Sequence, residues 1–200
     1  MFDKIANWLI ARAKKTPYFH LPSYMNRWWL VPYRAQANDS QYKTGTYNAV
    51  WYREPFKWLL QRFDIAIRVH EILTSDDRDR GFHDHPWPYI TIILKGGYIE
   101  VTPIYVDGIY TGERRKYYAP GSILFRRAQS WHSLELPYAT SPLDGDVMPN
   151  GRGGWQEEPC TTLFITFKYV QKWGFLVEPR GKQYYRDVFA QAAAKLPEIR

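Results

Sequence analysis

The chain has 200 residues, 24% of them charged, with a formal net charge of +7. That length suits one domain with a substantial core. A single cysteine excludes a disulfide framework and a thiolate metal cluster, and no apolar run approaches the ~18–20 residues of a membrane-spanning helix.

Residues 2–15 place Phe2, Ile5, Leu9 and Ala13 at steps of three and four, which predicts an amphipathic helix ending before Pro17. Such a basic helix suits a membrane interface, but docking on the protein's own body asks less of it and is preferred. The N-terminus lacks the charged-then-apolar order of a signal peptide, and with the lone cysteine it points to a cytoplasmic protein. Residues 1–62 hold ten Lys/Arg against three acids, so the whole cationic excess sits in the first third. That asymmetry leaves nucleic acid open as a partner, against the plainer reading of a solvated basic face. The densest aromatic patch, Met25-Asn26-Arg27-Trp28-Trp29-Leu30, could stack bases, but packing is favoured.

Strands become legible from residue 63. Ile65, Ile67 and Val69 alternate with Ala66, Arg68 and His70 as a half-buried strand. A charged loop from Ser75 to Arg80 leads into Phe82-His83-Asp84-His85-Pro86-Trp87. Trp87 to Leu94 is nearly continuous in apolar residues and closes on Gly96-Gly97; Tyr98 to Tyr105 returns, and Asp107-Gly108 signals a hairpin whose second arm is 109–118. Beyond the Pro120-Gly121 turn, Ile123 to Phe125 and Trp131 to Leu136 supply two more strands. Residues 137–159 read as a long loop, a lid or binding segment. Thr161 to Tyr169 alternate as a late strand, and Tyr185, Val188, Phe189, Ala192 and Leu196 mark one face of a helix over 184–196. The expectation is one mainly β domain. Residues 1–62 form a basic, aromatic-rich extension packed on a barrel of 63–180, and residues 181–200 form a C-terminal helix.

Strand residues two apart share a face, so His83 and His85 project together and Asp84 points away. His132, after the Pro-Gly turn and a strand, is the available third nitrogen ligand. The plain alternative is that such a histidine pair is only strand composition. Tyr89 shares their parity and either orients a substrate or fills space. Arg68 and His70 share a face that could line the cavity and bind an anion; otherwise His70, like His20, is structural. Of Arg126 and Arg127 one points inward, to pair with a carboxylate or phosphate or to lie at a barrel rim. Glu100 and Glu135 have no identifiable partner and are placed at the surface.

Segment 81–136 resembles the cupin superfamily. Gly81, His83, His85 and Gly97 stand for its first motif, and Pro120, Gly121 and His132 for its second. The resemblance implies a double-stranded β-helix (jelly-roll) barrel in which His83, His85 and His132 bind one divalent transition metal, with Fe(II) favoured over Mn, Ni or Zn. Four-ligand cupins place a Glu where this chain has Tyr89 or Ile90. The remaining three-histidine set looks like that of thiol dioxygenases such as cysteine dioxygenase. A wider ordered set, from Arg27-Trp28-Trp29-Leu30 to Trp173-Gly174-Phe175, is similar to small cupin-like proteins of tailed bacteriophages, which implies the host cytoplasm. The favoured expectation is a non-haem Fe(II) dioxygenase-like enzyme for a small polar or anionic molecule, with Tyr89 catalytic and Arg68 and Arg126 binding substrate. The alternatives are a non-catalytic module for a nucleotide, sugar or nucleic acid, and a sugar isomerase or epimerase. A homodimer follows from the resemblance alone.

Overall fold

A computed structural model describes residues 1–15, 20–21, 23–31, 58, 60, 62–77, 81–138, 157–177 and 180–188. Helix α1 (Phe2–Ala13) precedes strand β1 (Met25–Val31), and ten further strands follow: β2 (Ala66–Ile72), β3 (Phe82–His83), β4 (Tyr89–Lys95), β5 (Tyr98–Val106), β6 (Ile109–Tyr118), β7 (Ile123–Arg126), β8 (Ser133–Glu135), β9 (Cys160–Thr166), β10 (Gly174–Val177) and β11 (Gly181–Tyr184). Every pairing is antiparallel. A five-stranded sheet runs β1-β2-β9-β4-β7, and two three-stranded sheets run β11-β10-β3 and β6-β5-β8. The protein is therefore mainly β, as the spacing of turns and β-branched runs predicts.

Local chemistry sets the turns. Asp107 (φ 51°) and Gly108 (φ 79°) both take the left-handed region that a two-residue hairpin between β5 and β6 needs. Gly81 (φ 75°) lies so close to β10 that a Cβ there would meet the Leu176 carbonyl oxygen. This glycine lets the chain enter β3 against β10, with Phe175 opposite His83.

The main core gathers Ile72, Ile93, Tyr98, Leu124, Leu134, Leu136 and the free Cys160. A second cluster seats α1 on the outer face of the large sheet, with Ala13 and Ile10 against Trp28, Val69, Leu30 and Leu163. The helix thus docks on its own body, but along Ala6, Ile10 and Ala13; Phe2 and Ile5 are exposed rather than buried as the periodicity predicts. Trp28 and Trp29 are buried in β1, so the aromatic patch is committed to packing rather than to stacking bases. Residues 25–31, expected in an extension, are an edge strand of the large sheet.

The half-buried reading of β2 needs correcting, because both faces are covered. Val69 lies under α1, while Arg68, His70 and Ile72 face an internal cavity, and Arg68 and His70 are only 5% and 8% exposed. Residues 181–184, expected as helix, pair with β10; 185–188 are helical, and the rest of the predicted helix lies outside the described residues. The predicted loop 137–159 falls outside them over 139–156. No helix among the described residues is long and apolar enough to cross a membrane.

Candidate metal centre

The three histidines meet where the three sheets converge. His83 ends β3 and exchanges backbone hydrogen bonds with His132, at 2.8 and 3.0 Å, just before β8. His85 lies beyond β3, its N–H donating to the Ala128 carbonyl at 3.0 Å. One nitrogen from each ring falls within 4.8 Å of the others. The His83–His85, His83–His132 and His85–His132 ring centroids are 5.2, 4.5 and 5.1 Å apart.

Carboxylates stand behind two of the rings. Glu100 on β5, 3% exposed, accepts from His132 Nδ1 at 3.2 Å, which turns His132 Nε2 toward the cavity. Asp76 lies 3.4 Å from His83 Nδ1. Asp76 is itself fixed by the Leu134 N–H at 2.7 Å and by the Tyr24 hydroxyl. His85 Nε2 and His132 Nε2 approach to 2.9 Å. With His132 Nδ1 donating to Glu100, His132 Nε2 is an acceptor, so at this distance it either receives an N–H from His85 or shares a positive ion with it, and the convergence is compatible with a metal ion. A carboxylate that orients a ligating imidazole through its outer nitrogen is the recurring arrangement of metal sites. Burial pushes His83 down to about 4 and His85 well below the usual histidine range, with the neighbouring histidines adding to both effects and Asp76 opposing it at His83. Both rings are neutral at pH 7, the form that ligates.

Asp84 points away from the metal side, as the strand alternation predicts, yet it is 1% exposed. Its oxygens accept from Gly174 N at 2.9 Å, from Gln171 Nε2 at 2.8 Å and from Lys182. Gln171 Nε2 also donates to the carbonyls of His85 and Ala128, both at 3.0 Å. One buried carboxylate thus ties the His-x-His segment to β10 and β11.

The cavity holds about 230 Å³ and opens toward an outer vestibule of about 980 Å³, with His83, Arg27, Tyr24 and Trp173 lining both. Tyr89 (2% exposed) lines the inner part, its hydroxyl 3.3 Å from His132 Nε2. Burial, reinforced by Glu100, raises its pKa well above the ordinary tyrosine value, so it stays protonated. Arg68 lines the same cavity, its guanidinium 4.7 Å from the Trp29 ring and 5.3 Å from the Trp87 ring.

Arg126 is placed otherwise than expected. It donates to Glu100 through Nε (2.9 Å) and Nη2, and to the Tyr118 hydroxyl at 3.0 Å, and it is not among the residues lining the metal cavity. Its fork is occupied by a carboxylate of its own chain. Glu100, expected at the surface, is its buried partner; Glu135, expected there too, is half-buried and paired with Arg115. Sequence reasoning missed Asp76 and Glu100 because nothing local marks a carboxylate that meets a histidine 7 or 32 positions away. His20 is structural: its Nδ1 accepts from the Arg27 N–H at 3.0 Å, and its ring meets Trp28 edge-on.

Fold and site define a mainly β protein of antiparallel sheets carrying a three-histidine group able to hold a metal ion. No family model matches the sequence, and no curated protein matches it. Among solved structures the chain is similar to a cupin superfamily protein of Desulfitobacterium hafniense DCB-2, at 10% identity and TM-score 0.31 over 52% of this chain and 66% of that one. A cupin-2 domain containing protein of Shewanella frigidimarina overlaps 52% of this chain and 72% of its own, at 10% identity and TM-score 0.33. The Momordica charantia 7S globulin overlaps 91% of this chain and 41% of its own, at 11% identity and TM-score 0.46. The phage likeness gains no support from these comparisons.

Proposed function

We propose that the chain is a mononuclear metal enzyme of the non-haem Fe(II) dioxygenase type, acting on a small anionic molecule. The observation that carries this reading is the convergence of three imidazoles with, among the described residues, no carboxylate in front of them; Asp76 and Glu100 stand behind the rings. His83, His85 and His132 would hold the metal. Three protein ligands leave coordination positions open, and a bound Fe(II) supplies redox chemistry at an open position. The inner cavity, smaller than the about 300–1,000 Å³ typical of drug-sized ligand sites, fits a small molecule beside the histidines. Arg68, its plane set by two indoles, pairs with the ligand's negative group. Tyr89, kept protonated by burial, donates a hydrogen bond to a ligand oxygen beside His132. The thiol Cys160 lies in the core and lines neither the cavity nor the vestibule, so it takes no part at the site.

Elemental analysis of the purified protein, beside a folded His83→Ala/His132→Ala variant, tests the reading. Near-stoichiometric iron in the wild type and its loss in the variant support it, and oxygen-consumption screening of small carboxylates then follows. Absence of any transition metal from the wild type after anaerobic Fe(II) loading refutes it and leaves a metal-free binding module.

A further inference from the structure

His70 is a polar group of the cavity that the metal reading does not use. It sits mid-strand on β2, stacked on Phe164 at 4.7 Å with rings 29° apart, and its Nε2 is buried without a hydrogen-bond partner. An unsatisfied buried nitrogen destabilises a fold, so a position that keeps one invites a functional account. Arg27 lies opposite His70 across the β1–β2 pairing, and Arg68 precedes it on the same face. All three line the metal cavity, which has no Asp or Glu among its described lining residues. Phe164 links this corner to the metal: its other contacts include His85, at 5.9 Å, and Tyr89, at 4.9 Å.

We propose that His70, Arg68 and Arg27 form an anion subsite, and that the enzyme's substrate is a short bifunctional molecule whose carboxylate or phosphate is held here while its other end reaches the metal. This deepens the proposed function and rests on it for the second half of the statement. His70 is the discriminating member. Burial and the two guanidiniums keep its ring neutral in the free protein, and Nε2, the nitrogen without a partner, donates its N–H to the ligand in this arrangement. The arginines supply charge, and the imidazole supplies a hydrogen bond of fixed direction, held by the Phe164 stack.

Calorimetric titration with inorganic phosphate and, separately, with acetate tests the subsite, with metal content measured on every sample. The wild type binds at least one of the two anions. His70→Phe, which keeps the aromatic stack, weakens that binding about tenfold, and His70→Gln, which returns a polar nitrogen, recovers most of it. Arg68→Met weakens it at least as much. In the His83→Ala/His132→Ala variant anion binding persists while metal is lost, separating the two sites. Equal binding by His70→Phe and wild type overturns the proposal, as does binding that disappears with the metal ligands or is absent from the wild type. Metal present without anion binding retires this subsite and leaves the proposed function standing. Anion binding without metal retires the metal enzyme and leaves the subsite.

Discussion

Replacing Glu100 with Gln separates the electrostatic from the packing role of the carboxylate behind His132. Burial by itself raises the Glu100 carboxyl, but hydrogen bonds from His132 and Arg126 outweigh it and hold the group at about 2, against an ordinary 4.5. A carboxyl depressed in this way stabilises the fold above its unfolded value and loses that contribution as pH falls from about 4.5 through about 2. At neutral pH the shift corresponds to about 3 kcal/mol. Glu100→Gln keeps the shape and one acceptor for His132 but leaves Arg126, only 23% exposed, without its countercharge. We expect a loss of about 2–3 kcal/mol in urea unfolding of the metal-free protein at pH 7, shrinking toward pH 3. We also expect a roughly 10–100-fold fall in metal affinity by chelator competition, because His132 loses its orienting anion. Unchanged stability at pH 7 would refute the ion-pair argument. Lost stability with unchanged metal affinity would refute the coupling of Glu100 to the metal.

Three further outcomes are expected. His83 is lowered to about 4, so the unfolded chain takes up a proton that the fold refuses; metal-free stability should be full above pH 6.5 and fall by a few kcal/mol as pH drops through about 4. Thermal unfolding across that range, with and without metal, shows it; a flat profile contradicts the burial of a neutral His83. Asp84→Ala strands three donors around a buried site and should cost about 3–5 kcal/mol in urea unfolding, whereas Lys182→Met, at a 36% exposed amine, should cost clearly less. Burial pushes the Cys160 thiol up to about 12, so a thiol reagent at pH 8 should label it only after denaturation, and fast labelling of the native protein would place it outside the core.

The order of turns and apolar runs determined most of the architecture. The Asp107-Gly108 hairpin, the Gly96 and Pro120-Gly121 turns and the β4, β5, β6 and β9 strands follow from period-two patterning and from residues suited to positive φ. The two-residue spacing anticipated that His83 and His85 converge, but β3 ends at His83 and Tyr89 opens β4, so Tyr89 reaches them through sheet packing rather than through one alternating strand. Strands β1, β10 and β11 were not legible: β1 is held by β2 and β10 by β3, both far away in sequence, and β11 follows only because β10 is already in place. Which charges are buried was likewise a tertiary matter. Arg68 and Arg126 have similar local sequence surroundings, yet β2 turns one into the cavity and Glu100 captures the other. The sequence carries the ligand types and their parity through local geometry; the carboxylates behind them, and the cavity in front, depend on contacts that only chain closure brings within reach.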